Sequence, residues 1–328
     1  MSQISPEKPP LSGDRSPHPG PLPSFAAWLA AFWKFSRPHT IIGTSLSVIA
    51  MFAIVVALNG LELAVFVSLR PILVFGFTLL ACLCGNVYIV GLNQLEDVGI
   101  DQINKPHLPL ASGEFSRRGA QRIVAITGQL ALVVAIAQGW YLFGMVALSL
   151  LIGTAYSLPP IRLKRFPFWA SLCIFSVRGV IVNLGLFLHF SQQFGVNTTI
   201  PSPVWALTLF IVVFTLAIAL FKDIPDLEGD RRFNITTFTI RLGTQAVFNL
   251  SLAILTVCYG GMSAAGLILP SVNRPFLILS HLIPLAALWW FGRQVNLDDK
   301  RAIARFYQFI WKLFFLEYGT FAIACLLN

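Results

Sequence analysis

The sequence predicts an all-α, polytopic membrane protein with nine transmembrane helices, and three observations support this prediction. The 328 residues have a mean hydropathy of +0.75. Of these residues, 56% are hydrophobic and 11% are charged, whereas about 25% of the residues of a soluble domain are charged. Nine apolar stretches approach or exceed the length that crosses a bilayer as a helix, and the positively charged residues are divided unevenly between the loops.

The chain begins with a segment unlike the rest. Residues 1–24 are rich in Pro, Ser and Gly and lack the apolar core of a signal peptide, which predicts a disordered cytoplasmic extension. Residues 25–38 mix aromatic side chains with Lys34 and Arg37, a pattern typical of an interfacial helix. The predicted spans follow at residues 40–58, 72–92, 122–138, 141–157, 168–190, 203–221, 245–269, 275–291 and 306–327. We therefore expect one transmembrane domain over residues 25–328.

The net charge of +9 could indicate a nucleic-acid partner, but the loops explain it better. With the N-terminus inside, the loops on that side hold 19 of the Lys and Arg residues and the outside loops hold only Arg70 and Arg274. The positive-inside rule then places the N-terminus in the cytoplasm. We predict no nucleic-acid partner.

A polar run, Asn93 to Asp101, follows the second apolar stretch. Asn93, Asp97 and Asp101 are spaced four residues apart, which would stack them on one helical face at steps of about 6 Å. Four spans later, and thus on the same side, a second run contains Asp223, Asp226 and Asp230. Their i, i+3, i+7 spacing again predicts one helical face, with Glu228 off it.

Two such faces opposed across a bundle predict a Mg²⁺–diphosphate site at the cytoplasmic membrane surface. Mg²⁺ is bound through one or two carboxylates, and substrate phosphates complete its coordination. No His or Cys stands at ligand spacing, which disfavours Zn²⁺ and Fe. The predicted metal ligands are Asn93, Asp97, Asp101, Asp226 and Asp230; the predicted catalytic residues are Asp97, Asp101, Asp223, Asp226 and Asp230. The alternative for a single run is a solvated acidic loop.

Several cations and polar groups are candidates for binding substrate. Lys105 follows the first run, and Arg162 and Lys164 follow the fourth span; each could bind phosphate or serve only as a topological anchor. Arg178 lies near the middle of the fifth span, where a charge is costly and normally faces the bundle interior. The remaining candidates are Asn183 on the same span and Arg37 and His39 at the start of the first.

The two runs resemble the NxxxDxxxD and DxxxD signatures of the UbiA-type intramembrane prenyltransferases, read here as Asn93-Asp97-Asp101 and Asp226-Asp230. The stretches around them are most similar to the homogentisate phytyltransferases of cyanobacteria and plastids. The resemblance begins at Phe32 and includes GNVYIVGLNQLEDVGIDQINKPHLPLASGEFS, LIGTAYSLPPIRLKRF and FKDIPDLEGDRRF.

This resemblance implies a central cavity within nine helices, dependence on Mg²⁺ and an enzyme of tocopherol synthesis. The implied substrates are phytyl diphosphate and homogentisate, and the implied products are 2-methyl-6-phytylbenzoquinol, CO₂ and diphosphate. It leaves open whether the membrane is plasma or thylakoid and what the oligomeric state is.

Two alternatives remain at this point. A related enzyme would use geranylgeranyl or solanesyl diphosphate, or another acceptor such as chlorophyllide or 4-hydroxybenzoate. A membrane transporter would also place charges within spans, but it predicts broken helices with charges near the midplane. Acidic runs at span ends on one side favour an enzyme that takes one substrate from water and one from lipid.

Overall fold

The computed structural model of the chain describes residues 24–62, 68–232 and 235–328. The extension predicted for residues 1–24 lies outside them except for Ser24. Within these ranges there is no β-strand, and nine helices are long and apolar enough to cross a membrane, as predicted. Spans one to nine are Pro38–Leu58, Leu69–Glu96, Arg117–Gln138, Trp140–Ser157, Pro167–Phe194, Ser202–Phe221, Thr244–Ala265, Arg274–Gly292 and Lys300–Leu326.

The shorter helices gather on one side of the bundle. One helix, Phe25–Phe35, precedes span one, in agreement with the prediction of a helix there. The others all follow even-numbered spans, and successive spans alternate in direction, so these connections lie on the same side. They are Val98–Asn104, Pro109–Ser112, the 3₁₀ turn Leu163–Arg165, Leu227–Arg232 and Phe238–Leu242. Both acidic runs belong to this layer, which we call the loop side.

The fraction of buried residues differs between the spans and shows which span lies at the centre of the bundle. Within the most apolar 18-residue stretch of each span, 67% of the residues are buried in span six, against 28% in spans three and eight. Span six is therefore central, and the outer helices present aliphatic side chains such as Leu151 and Ile283 outward, where lipid is the natural solvent.

Span five contains one irregular segment. Ser176–Ile181 is π-helical, between the α-helical segments Pro167–Phe175 and Val182–Phe194. Such wide turns inside an α-helix are frequent at functional sites. This one carries Arg178.

Buried polar pairs join different spans of the bundle. His281 Nε2 of span eight lies 2.9 Å from Glu317 Oε2 of span nine, with both side chains almost fully buried. Tyr318 Oη donates to Asn183 Oδ1 at 3.0 Å. Local sequence spacing did not identify His281 as the partner of Glu317.

The His281–Glu317 pair generates a prediction about stability. Glu317→Ala leaves the buried imidazole without its partner, and breaking a buried pair in this way costs about 3–5 kcal/mol. We expect a clearly lower unfolding temperature of the purified protein in detergent. Lys312→Ala is the control, because Lys312 lies on the same helix and is exposed. Equal unfolding temperatures for the two variants would contradict a stabilising role for the pair.

Candidate active site

A cavity of about 790 Å³ opens on the loop side of the bundle. Its walls come from spans one, two, four, five, six and nine and from the connections after spans two, four and six. Charged groups line the mouth, and deeper parts are lined by apolar residues such as Ala81, Val146 and Ile218. Among the predicted site residues, those that line it are Arg37, His39, Asn93, Asp97, Asp101, Lys105, Lys164, Arg178, Asp223, Asp226 and Asp230.

The first acidic run forms two helices rather than one. Span two ends at Glu96, and a short helix begins at Val98. The helical hydrogen bonding nevertheless continues through the break: Asp97 N donates to Asn93 O at 3.1 Å, and Asp101 N donates to Asp97 O at 2.8 Å. Asn93 Nδ2 also donates to Asp97 Oδ2 at 3.1 Å. The three side chains therefore reach the same cavity across a bend.

For the second run, the prediction of one helical face is wrong. Span six ends at Phe221, and the next helix begins only at Leu227. Pro225 explains the interruption, because proline cannot donate a backbone hydrogen bond and disfavours helical geometry in the residue before it. Asp223 and Asp226 thus lie in a turn and only Asp230 lies on a helix, yet all three line the cavity.

Cations from other connections contact the carboxylates. Arg162 Nη2 and Lys164 Nζ lie 3.0 and 2.6 Å from the two oxygens of Asp97. Lys105 Nζ lies 2.5 Å from Asp226 Oδ2. The connection after span four therefore supplies two cations to a carboxylate after span two, and Arg162 reaches the site only through Asp97.

Two further cations complete the mouth. Lys222 Nζ lies 2.6 Å from Asp223 Oδ1. Arg37 Nη2 lies 3.4 Å from Asn93 Oδ1 and 3.9 Å from Asp101 Oδ2. Sequence reasoning had not included Lys222 in the site.

Asn104 joins the two acidic runs and was also missed. Its Nδ2 donates to the carbonyl of Asp226 at 3.1 Å, and its Oδ1 accepts from the amide of Gly229 at 2.9 Å. A Cβ at Gly229 would overlap the Asn104 amide group, so only glycine allows this close approach. The signal was weak in the sequence, because Asn104 lies 122 residues from Asp226 and off the Asn93–Asp101 spacing.

Burial changes the acidity of the carboxylates at the mouth. It raises the pKa of Asp101, with Arg37 and Lys105 opposing the shift. It raises the pKa of Asp230 to about 7, although Lys222 opposes the shift. Asp230 belongs to no ion pair within the described ranges. Positive charge beside Asp101 and Asp230 would therefore be stabilising.

The oxygen-rich groups fit Mg²⁺ of the kind that shares its coordination with substrate. The buried Asp101 Oδ2 has no hydrogen-bond partner among the described residues. Throughout the same ranges, no three His, Cys, Asp or Glu side chains converge on one point. A metal cage made only of protein ligands is thus not formed, whereas Mg²⁺ held by one or two carboxylates plus phosphate oxygens suits the arrangement.

The remaining candidates, His39, Arg178 and Asn183, divide into two groups. His39 packs its ring against Trp311 at 4.8 Å between centroids, and Arg178 lies over the same indole at 5.2 Å. Asn183, predicted to bind substrate, does not line the cavity. It is fully buried, donates to Gly179 O at 2.9 Å and accepts from Tyr318, so its polar atoms are used inside the bundle.

Glu228 lies outside the cavity, as its place off the predicted helical face suggested. Its carboxylate is 71% exposed and pairs with Lys300 at 2.9 Å. It provides an acidic residue of the second run that has no contact with the site.

Comparisons with known proteins agree with this architecture. The chain is 55% identical over 300 residues to "Homogentisate phytyltransferase" of Synechocystis, covering 91% of this chain and 96% of that protein. It is 40% identical over 302 residues to "Homogentisate phytyltransferase 1, chloroplastic" of Arabidopsis thaliana, covering 90% of this chain and 75% of that protein.

The fold is shared with a solved structure. A UbiA homologue from Archaeoglobus fulgidus, bound to GPP and Mg²⁺, superimposes with a TM-score of 0.61 at 17% identity, over 91% of this chain and all of that one. The model of the UbiA prenyltransferase family matches residues 50–313. The chain is an integral membrane protein that belongs to the UbiA prenyltransferase family.

Proposed function

We propose that the protein transfers the phytyl group of phytyl diphosphate to homogentisate and releases diphosphate and CO₂, giving 2-methyl-6-phytylbenzoquinol. One observation supports the chemistry above all: two acidic runs from different connections meet at the mouth of a cavity whose depth is apolar. The close similarity to the Synechocystis protein supports the choice of substrates.

The polar side chains at the mouth are of the types that this chemistry needs. Asn93, Asp97 and Asp101 from one run, and Asp226 and Asp230 from the other, would hold Mg²⁺ together with the diphosphate. Bound Mg²⁺ supplies Lewis-acid stabilisation of the leaving group. The Archaeoglobus homologue with GPP and Mg²⁺ supports this assignment.

The cations provide charge for the diphosphate. Lys105 and Lys164 line the cavity, and each now contacts a carboxylate. We propose that they donate to diphosphate oxygens when the donor binds, and that Arg162 contributes through its contact with Asp97. They thereby stabilise the negative charge that develops as the C–O bond breaks.

The rest of the cavity controls the allylic cation. Apolar walls exclude water, which would otherwise capture the cation. The electron-rich ring of homogentisate attacks it to form the new C–C bond, and the attacked ring carbon then loses its hydrogen as a proton. The acetate side chain loses CO₂, and the carbon left behind takes up a proton to become the methyl group. Asp223, which is buried beside Lys222, is our candidate to take the phenolic proton. Arg178, Arg37 and His39 are the candidates to bind the acceptor's carboxylate.

We propose that the loop side faces the cytoplasm, because the 19 Lys and Arg residues assigned to the inside in the sequence include all those of the loop-side connections. Residues 25–328 then form one catalytic domain. Geranylgeranyl or solanesyl diphosphate remains the alternative donor. The length of the prenyl chain is selected by the deeper, apolar part of the cavity rather than by the charged mouth.

A substrate panel tests the function. Purified protein is incubated with labelled homogentisate and with phytyl, geranylgeranyl or solanesyl diphosphate, with Mg²⁺ or with EDTA. We expect the highest kcat/KM with phytyl diphosphate, no product in EDTA and recovery when Mg²⁺ is restored. Efficient transfer to 4-hydroxybenzoate but not to homogentisate would contradict the proposed acceptor; solute flux in liposomes without product would favour a transporter.

The acidic runs generate a second prediction. Asp97→Ala and Asp226→Ala should each lower kcat by about 100-fold or more, because each removes a metal ligand and leaves cations without their partner. The measurement is Mg²⁺-dependent release of diphosphate from purified protein. Glu228→Ala is the matched control from the second run, and its exposed pair is worth little, so it should act like the parent. Full activity of both cavity variants would exclude metal binding by the two runs.

Asn104 generates a third prediction. Asn104→Ala removes both hydrogen bonds between the runs but no carboxylate, so the ligands remain and their spacing is lost. We expect kcat to fall about 10- to 100-fold and the Mg²⁺ concentration for half-maximal rate to rise. The unfolding temperature should not change, since the bonds lie outside the bundle core. A lower unfolding temperature with an unaltered Mg²⁺ requirement would assign Asn104 a purely structural role.

A further inference from the structure

Arg178 is a cation within the membrane-spanning bundle that has no acidic partner among the residues the structure describes. Its backbone lies 11 residues into span five, about 16 Å from the loop-side end at the helical rise per residue, and its guanidinium reaches Gly43, five residues into span one. An uncompensated charge at that depth is costly, and such residues usually face a cavity or a partner. Arg178 faces the cavity.

Three neighbours fix the guanidinium group from two other spans. Its Cζ lies 5.2 Å from the ring centroid of Trp311 and 5.5 Å from that of Phe314, both of span nine. On span one, Gly43 leaves it room, because a Cβ there would stand 3.2 Å from Arg178 Nη1. Aromatic faces attract the cation without accepting its N–H groups in the plane, so the forked donors keep their capacity for an anion.

We infer that Arg178 binds the carboxylate of the aromatic acceptor and thereby selects arylacetates; this inference rests on the proposed function. The diphosphate is not the anion that fits here, because the acidic runs and their cations lie at the mouth. The prenyl chain carries no charge. The acceptor's carboxylate is then the anion of the reaction that can reach this depth, and a guanidinium fork matches its two oxygens.

The other two candidates are placed differently. Arg37 is already directed to Asn93 and to Asp101 at the mouth. The His39 ring packs on Trp311, the same indole that holds Arg178. Trp311 therefore connects the mouth to the deeper guanidinium, and an acceptor anchored at Arg178 extends its ring along this aromatic wall toward the carbon that loses diphosphate.

Equilibrium binding to the full chain in lipid nanodiscs tests the inference. The two probes are labelled homogentisate and labelled methylhydroquinone, which has the same ring but a methyl group in place of the acetate. The parent protein should bind homogentisate at least about 10-fold more tightly, as expected for charge-assisted hydrogen bonds. Arg178→Met should bind both probes equally. Arg178→Lys should keep part of the preference, because it retains the charge and loses the fork.

Lys312→Met is the matched control: it removes a cation next to Trp311 in the sequence from an exposed position and should keep the full preference. Unfolding temperatures of all variants verify that they are folded. A preference that survives in Arg178→Met, or a parent protein without any preference, overturns the inference. Absence of phytyl transfer by the parent would instead overturn the proposed function, and the binding comparison reports on Arg178 in either case.

Discussion

The mouth of the cavity depends on one constraint: carboxylates at the edge of an apolar bundle need positive partners, and for Asp97 and Asp226 those partners come from other connections. Asp97 is contacted from the connection after span four, and Asp226 from the connection after span two. Because each pair crosses between segments that are distant in sequence, the ion pairs also arrange the connections. The same ion pairs therefore compensate these charges and hold the connections in place. Because the groups are partly buried, their electrostatic attraction is screened less than it would be between fully exposed groups.

A second feature of the cavity is that its charged groups are confined to certain parts of the wall. The ion pairs lie at the loop side, the remaining walls of the cavity are mostly apolar, and the guanidinium of Arg178 lies on the wall apart from the ion pairs. A molecule with a charged head and an apolar chain can therefore place its head among the charged groups and its chain against the apolar walls of one cavity. A small aromatic acid that passes the mouth reaches in Arg178 a cation that has no acidic partner among the described residues. On the proposed function, the different positions of the ion pairs and of Arg178 would separate the two substrates along the cavity.

The features that depend on local sequence could be predicted, and those that depend on long-range pairing could not. The nine spans follow from hydropathy, because lipid leaves few alternatives to a helix. The two acidic runs were placed on one side by counting spans. The single helical face of the second run failed at Pro225, a residue whose effect is local and could have been considered. Asn104 with Gly229, and His281 with Glu317, are partners across 125 and 36 residues, a distance at which spacing carries no information.

The balance of charge at the mouth gives a physical reason for the expected need for a divalent cation. Five carboxylates line it, those of Asp97, Asp101, Asp223, Asp226 and Asp230, and five cations contact these carboxylates or approach them, those of Arg37, Lys105, Arg162, Lys164 and Lys222. The formal charges cancel, but unevenly, because two cations contact Asp97 and, among the described residues, none pairs with Asp230. A diphosphate entering alone would add several negative charges to a neutral, poorly solvated site, where each uncompensated charge is costly. A diphosphate entering with Mg²⁺ adds little net charge, places positive charge beside Asp101 and Asp230, and lets the lysines exchange carboxylate oxygens for phosphate oxygens. On the proposed function, this balance of charge would favour binding of the metal and the donor together over binding of either one alone.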